Sequence, residues 1–305
     1  MPELPDVTVY VELLAARLMG QRVEGLRFAS PFFLRSVDPP ASELVGQTLV
    51  SVERLGKRIV LGTDGDLFAV IHLMVAGRLR WLAPKAKIPG KLGLAALDVA
   101  TGTLVVTEAS SKKRASLHLA RGRAALEPFQ RGGLEVLGAS LEEFTEVVRR
   151  ERHTLKRTLT DPRLFSGIGN AYSDEILHRA RMSPVTLSDK LSDADIARLR
   201  DATLSVLNDW TARLRAEAAA QKNGWPEKVT AFRDGMAVHG RYRQPCPDCG
   251  KPVQRIRYAE NETNYCPTCQ TGGKLLADRG LSRLLHGDWP KTLEDLEERK
   301  ATSRG

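Results

Sequence analysis

Cys246-Pro247-Asp248-Cys249 and Cys266-Pro267-Thr268-Cys269 hold all four cysteines of the 305-residue chain. Each Cys-x-x-Cys knuckle turns tightly enough for two thiolates to meet one tetrahedral ion, and the second pair closes a four-thiolate zinc site. Gly250 permits the turn after the first pair. Pro252 to Tyr258 reads as a strand and Thr263-Asn264-Tyr265 as its return, so zinc is expected to staple a two-stranded β-hairpin. Redox-active thiol pairs are the competing reading, and two matched knuckles at this spacing favour zinc. With four thiolates the site has no open position, so the ion is structural. Cysteines confined to one metal pattern fit a reducing compartment better than a disulfide framework.

Upstream of the knuckles, residues 141–220 carry helical patterning. Ser140 and Ser192 each precede acidic residues in the spacing of an N-terminal cap. Lys156-Arg157-Thr158-Leu159-Thr160-Asp161-Pro162 ends one helix, and a new one begins at Ala171. Between them lies Gly167-Ile168-Gly169-Asn170, which offers backbone N–H groups and an amide side chain at a helix start, an arrangement suited to a phosphate. A glycine turn used only for packing two helices is the equal alternative at this point.

Further toward the N-terminus the pattern changes. Residues 6–19 have apolar positions at helical spacing, with Asp6 as expected N-cap and Gly20 past the end. Eight short β runs follow, bounded by Gly, Pro and Asp turns: 22–28, 48–55, 58–63, 67–73, 78–82, 94–98, 104–108 and 116–120. They predict a β-sandwich or barrel. The expected organisation is an α+β multidomain chain: a β-sandwich domain over 1–125, a linker over 126–140, a helical domain over 141–240, the zinc hairpin over 241–270, and an extension of unknown role over 271–305. The extension has a short apolar patch (Leu275, Leu276, Leu281, Leu284, Leu285, Trp289) and then a charged helical run.

The first residues carry a chemical possibility of their own. Trimming of Met1 leaves Pro2 with a terminal secondary amine, able to attack an electrophilic sugar carbon and form an iminium. Such an amine titrates near neutrality. Glu3 beside it supplies a carboxyl group for proton transfer. Taken alone, an ordinary N-terminus with a helix cap explains these residues equally. Lys and Arg outnumber Asp and Glu 46 to 37, a formal charge of +9 that is compatible with polyanion binding without proving it. Absence of a long apolar run or a cationic leader leads to the expectation of no membrane span and no signal peptide.

Pro2-Glu3-Leu4-Pro5-Asp6-Val7, Gly167-Ile168-Gly169-Asn170 and the four-cysteine hairpin, in this order, resemble the Fpg/Nei family of bifunctional DNA glycosylase/AP lyases. The resemblance runs from residue 2 to about 270. It implies an N-terminal β-sandwich with a leading helix, a helix–two-turn–helix domain and a zinc finger, with damaged DNA as partner and one structural zinc as the metal. By the family pattern Pro2 is the nucleophile, Glu3 the acid, and Lys57 the hairpin lysine that holds a phosphate beside the lesion. Lys57 alone would pass for a solvated turn residue. Asn170 fits the phosphate-binding asparagine, with Gly169 and Lys156 beside it. Arg255, Arg257 and Lys251 are the cations with which the finger would meet DNA. A monomer in the cytoplasm, associated with the nucleoid, is the expected setting.

Departures from the pattern shape the expected specificity. Twelve residues past Cys249, where the family has a phosphate-gripping arginine, stands Asn261, which has neither charge nor fork. Val75 occupies the wedge methionine position with Met74 next to it. The loop that should carry an Arg/Phe wedge is Glu108-Ala109-Ser110-Ser111-Lys112-Lys113-Arg114, basic and without an aromatic. Lys112, Lys113 and Arg114 are therefore candidate DNA contacts. Without an aromatic wedge, an opened duplex is held less well, which favours single-stranded, abasic, bulky or cross-linked sites. Residues 221–240 look short for a clamp on 8-oxoguanine. The competing class is a damaged- or branched-DNA binding protein of the same fold with little catalysis.

Overall fold

The computed structural model describes residues 1–226, 233–258, 261–277 and 290–302. The chain divides into two compact units: Met1–Gly132 with Asn208–Thr230, and Gly133–Leu207 with Ala231–Gly305.

The first unit opens with α1 (Leu4–Leu18). Eight strands follow: β1 (Gly25–Phe28), β2 (Leu49–Leu55), β3 (Arg58–Thr63), β4 (Leu67–His72), β5 (Gly77–Leu82), β6 (Gly93–Val99), β7 (Gly102–Glu108) and β8 (Ser116–Arg121). They form two four-stranded antiparallel sheets, ordered β1-β6-β7-β5 and β2-β3-β4-β8. All eight expected runs are strands, and the sandwich is the expected one. Its core joins both sheets to one face of α1, through Val7, Tyr10, Leu14 and Leu18 with Leu61, Ile71, Leu79, Leu97, Val106 and Leu117. Strands β3 and β4 are apolar on both faces, because Leu126 covers the outer face carried by Val60, Phe68 and Val70. That double burial explains why these runs do not alternate with polar residues.

Two local expectations need correction. The N-cap of α1 is Glu3, not Asp6; Asp6 is the third helical residue and completes a capping box by accepting from the Glu3 amide at 2.9 Å. Pro5 explains the shift: its ring suits the first helical turn, whose N–H groups lack intrahelical partners. The segment after β8 is not a bare linker either. It forms short 3-10 turns at Arg123–Phe129 and Val136–Gly138, which bury Leu126 and Val136.

The segment 221–226 is similarly anchored rather than loose. Trp225 is 3% exposed and donates its indole N–H to the Leu79 carbonyl at 2.9 Å. The Arg17 guanidinium lies 5.2 Å from the Trp225 ring centroid and donates to the Asn223 carbonyl at 2.9 Å.

The second unit contains α2 (Leu141–Arg150), α3 (Leu155–Thr160), α4 (Asn170–Arg179) and the start of α5 (Asp193–Ala219), whose later turns belong to the first unit. Ser140 and Glu143 cap α2 reciprocally, as expected, and Ser192 and Asp195 do the same for α5. The finger is the hairpin β9 (Gln254–Tyr258) with β10 (Asn261–Tyr265), followed by α6 (Pro267–Thr271). Gly250 takes φ +72° in the turn after the first knuckle. The charged run is α7 (Leu293–Thr302). Of the apolar patch, Leu281, Leu284, Leu285 and Trp289 lie outside the described residues. No helix among the described residues is long and apolar enough to cross a membrane.

Candidate functional site

At one end of the sandwich three connections meet. Gly56 and Lys57 make the two-residue turn between β2 and β3, with Gly56 at φ +61° as a tight hairpin needs at its first position. Arg58 faces His72 across the ladder, and His72 faces Ser116. The chain then changes sheets twice at this end: from β4 to β5 through Leu73–Ala76, and from β7 to β8 through Ala109–Ala115. Sheet register therefore gathers Lys57, Met74 and the Lys112–Arg114 loop, which lie far apart in sequence.

The buried N-terminus belongs to the same electrostatic neighbourhood. Pro2 and Glu3 are both buried. With Met1 in place, burial lowers the pKa of the Met1 amine, and the positive charges of Arg78 and Lys57 lower it further, against the opposing pull of Glu3 and Asp6. The Glu3 carboxylate accepts from the Asp6 amide, so the helix cap fixes its position. Sequence reading missed Arg78. Its guanidinium donates to the Val75 carbonyl at 3.2 Å and to the Gly77 carbonyl at 2.6 Å, bracing the turn after β4. In that turn Met74 takes φ +51° and Val75 is 60% exposed.

The basic loop is built on Glu108. This carboxylate is 1% exposed and accepts from the Arg114 amide at 3.1 Å and the Ala115 amide at 3.0 Å. Lys113 is not splayed into solvent: its ammonium donates to the carbonyls of Glu108 and Lys91. Lys112 and Arg114 remain exposed. A lone acidic residue ending an apolar strand before Ser-Ser-Lys-Lys-Arg was the available signal for this role.

His72 also escaped the sequence reading. Burial, then the charges of Arg58, Lys57 and His118, lowers its pKa to about 4. A histidine with a depressed folded pKa binds fewer protons than its unfolded counterpart between about 4 and 6.5. Stability is therefore expected to be full above pH 6.5 and to fall as pH drops toward 4. The check is a denaturant midpoint series against pH: His72→Gln should flatten that part of the curve, and an unchanged slope would refute the assignment.

In the second unit, Gly167 takes φ +80° and Gly169 caps α4, so the Gly-Ile-Gly-Asn stretch does open a helix. The helix starts at Asn170, one residue before the expected Ala171. The Asn170 side-chain amide donates to the Glu262 carbonyl on β10 at 2.9 Å. Lys156 lies inward: its ammonium is 2.6 Å from the Asp174 carboxylate and 2.7 Å from the Asn170 carbonyl. Asp174, 1% exposed, also holds the His239 ring at 2.8 Å and the Asn264 amide at 3.1 Å. Glu175 accepts from three successive amides, Ala237, Val238 and His239, at 2.7 to 2.9 Å. Two adjacent carboxylates on α4 thus grip the segment leading into the finger. Asn261 starts β10 and is exposed; Arg255 and Arg257 share the outward face of β9, since Gln254 and Ile256 are buried.

The metal ligands fit one ion. The Sγ atoms of Cys246, Cys249, Cys266 and Cys269 all lie within 4.8 Å of one another, backed by Val238 and Val253. Burial pushes the Cys266 and Cys269 thiols up, so four thiolates coexist here only around a dication. The protein carries one structural zinc at this set. A strong chelator is expected to remove one zinc per chain and unfold residues 246–271, since structural zinc binding is worth on the order of 10–16 kcal/mol. Hydrogen exchange reads this directly; retained protection of β9 and β10 without metal would contradict it.

Comparison with known proteins agrees with this architecture. Residues 1–125 match the formamidopyrimidine-DNA glycosylase N-terminal domain, residues 136–217 the formamidopyrimidine-DNA glycosylase H2TH domain, and residues 243–272 the zinc finger found in FPG and IleRS. The chain is 30% identical over 276 residues to the formamidopyrimidine-DNA glycosylase of Chloroflexus aurantiacus, covering 88% of this chain and 98% of that one. It is 44% identical over 153 residues to an uncharacterized formamidopyrimidine-DNA glycosylase-like protein of Mycobacterium tuberculosis, covering 50% of this chain and 93% of that one. Among solved structures, MutM (Fpg) from Thermus thermophilus is similar with a TM-score of 0.74 and 30% identity, covering 88% and 98% of the two chains. Lactococcus lactis Fpg in complex with abasic-site DNA gives a TM-score of 0.77 at 25% identity, covering 88% and 99%.

Proposed function

This chain belongs to the formamidopyrimidine-DNA glycosylase family, and from that premise we propose that it is a DNA N-glycosylase with AP lyase activity whose nucleophile is Pro2. The observation that carries the reading is the burial of Pro2 directly beside Glu3, whose carboxyl group is fixed by the capping box of α1.

The chemistry follows from this geometry. DNA enters with the damaged nucleotide turned out of the stack. Removal of Met1 exposes the Pro2 nitrogen, which bonds to C1′ of the sugar and gives up its N–H proton to the base, as that base leaves with the C1′–N electron pair. Glu3 gives its proton to the ring oxygen, the C1′–O4′ bond opens, and a Pro2–C1′ iminium results. A C2′ proton then passes to water, its C–H electron pair flows into the iminium, and the 3′ phosphate leaves with the C3′–O electron pair, which nicks the strand. Lys57 supplies a charge for the phosphate beside the lesion, and Arg58 next to it adds a second cation on the same corner. Zinc takes no part in these steps.

Lesion preference follows from the loop that carries no aromatic wedge. Exposed apolar residues at this end include Val75, next to Met74, and Leu92, beside Glu108, while the Glu108-held loop offers Lys112 and Arg114. A small apolar tip with a basic loop favours sites that are already open. The proposed substrates are abasic, single-stranded, bulky or cross-linked sites ahead of 8-oxoguanine in duplex DNA, acted on by a monomer. A panel of single- and double-stranded oligonucleotides with these lesions tests the order. Faster excision of duplex 8-oxoguanine than of every other lesion would reverse it.

A further inference from the structure

The finger of this chain has no guanidinium at Asn261, yet it carries an unusual cationic group nearby. The Arg255 guanidinium carbon lies 4.1 Å from the centroid of the Tyr242 ring, and that of Arg243 lies 5.0 Å from the same centroid. Arg255 is also paired with the Glu262 carboxylate at 3.2 Å. Glu262 in turn accepts the Asn170 side-chain amide through its backbone carbonyl. An unbroken chain of contacts therefore joins the start of α4 to Tyr242.

Arg243 occupies a position that its backbone disfavours. It takes φ +67°, in the left-handed region where glycine sits without strain and a side chain does not. Its amide donates to the Val253 carbonyl at 2.9 Å, so the hairpin fixes that conformation. Its neighbour Arg241 is spent on structure, donating to the carbonyls of Met236 and Pro245 at 2.9 and 3.0 Å. Arg243 is exposed and meets the Tyr242 ring instead. A guanidinium laid against an aromatic ring has a fixed plane and weak hydration, and keeps its edge donors for an anion.

We propose that Tyr242, Arg243 and Arg255 form the phosphate clamp of the finger, taking over from the guanidinium absent at Asn261, with adjacent phosphodiesters of the bound DNA strand as ligand. The proposal rests on the DNA-repair reading above. Asn170, suited to a phosphate at the start of α4, is linked to the clamp through Glu262, and a continuous strand would run from one to the other.

The test is equilibrium binding of the full zinc-loaded chain to an oligonucleotide with a tetrahydrofuran abasic analogue, over a salt series. Arg243→Gly is the decisive variant, because glycine accepts the φ +67° backbone without strain. Each lost phosphate contact reduces the slope of log K against log salt by about 0.7–0.9, so Arg243→Gly should lose about one such unit and bind several-fold more weakly. Tyr242→Leu retains both charges, so its affinity should fall several-fold with the slope nearly kept. Wild-type affinity and slope in either variant, at full zinc content, overturns the clamp. Failure of the repair reading looks different: the wild-type chain would form no reductive adduct, while the salt slopes would still report on the clamp.

Discussion

Borohydride treatment of the mature chain on an abasic oligonucleotide is expected to give a covalent protein–DNA adduct, and Pro2→Leu is expected to abolish it. The reason is electronic. Leucine at position 2 keeps Met1 in place, so residue 2 offers an amide nitrogen whose lone pair is delocalised and cannot attack C1′. Pro2→Gly should trap at a small fraction of the wild-type level, because it offers a primary amine without the preset ring. Glu3→Gln separates acid from scaffold. The glutamine carbonyl can still accept from the Asp6 amide, so α1 keeps its cap, while the proton for the sugar oxygen is gone. Excision should fall about 10²–10⁴-fold, the usual contribution of a positioned acid, with thermal stability nearly unchanged. Glu3→Ala should lose about 1 kcal/mol of helix capping as well. Mass spectrometry must first establish proline as residue one. An adduct of wild-type strength from Pro2→Leu with Met1 confirmed in place would end the iminium assignment.

The second large effect is structural. Asp174→Ala is expected to destabilise the second unit by about 3–5 kcal/mol, the usual result of removing one partner of a buried ion pair. The Asp174 side chain has no exposure and that of Lys156 is 13% exposed. Deleting the carboxylate leaves an ammonium without its anion, and also strands the Asn264 amide and the His239 ring. Lys156→Met should be milder, because Asp174 then keeps two of its three partners. Thermal unfolding of the zinc-loaded chain gives the magnitude, and amide exchange at Asn264 locates it. A loss under about 1 kcal/mol in Asp174→Ala would show that the pair contributes no more than a surface salt bridge. Lys156 thereby takes a different place from that of a direct phosphate contact: it fixes the start of α4, on which Asn170 sits.

The sandwich was legible because its signal is local. Each of the eight strands is a short apolar or alternating run closed by turn residues, and period-two patterning needs no knowledge of partners. The same holds for the capping boxes at Ser140 and Ser192 and for the glycines at 20 and 250. The metal set was legible because two knuckles with matched spacing leave few other chemistries. Local signals failed where two rules overlapped. Asp6 has the composition of a cap, but Pro5 is better placed inside the first turn, and the cap moved to Glu3. Residues 126–140 have a linker's composition, yet Leu126 was needed to cover the outer face of β3 and β4.

By itself the sequence determined the order of elements, the four zinc ligands and the presence of an amine, a carboxyl group and a turn lysine at the positions of the family motifs. Tertiary structure decided which charges confront one another. Strand register brought Arg58 to His72 and placed both at the end of the sandwich where the chain changes sheets. Folding buried Pro2 beside Glu3, and packing of α4 on the finger turned Lys156 from a surface cation into an internal partner of Asp174. The division has a physical origin. Hydrogen-bonded strands, turns and caps depend on neighbours a few residues apart, whereas desolvation and Coulomb coupling depend on distance in space, which only the folded chain defines.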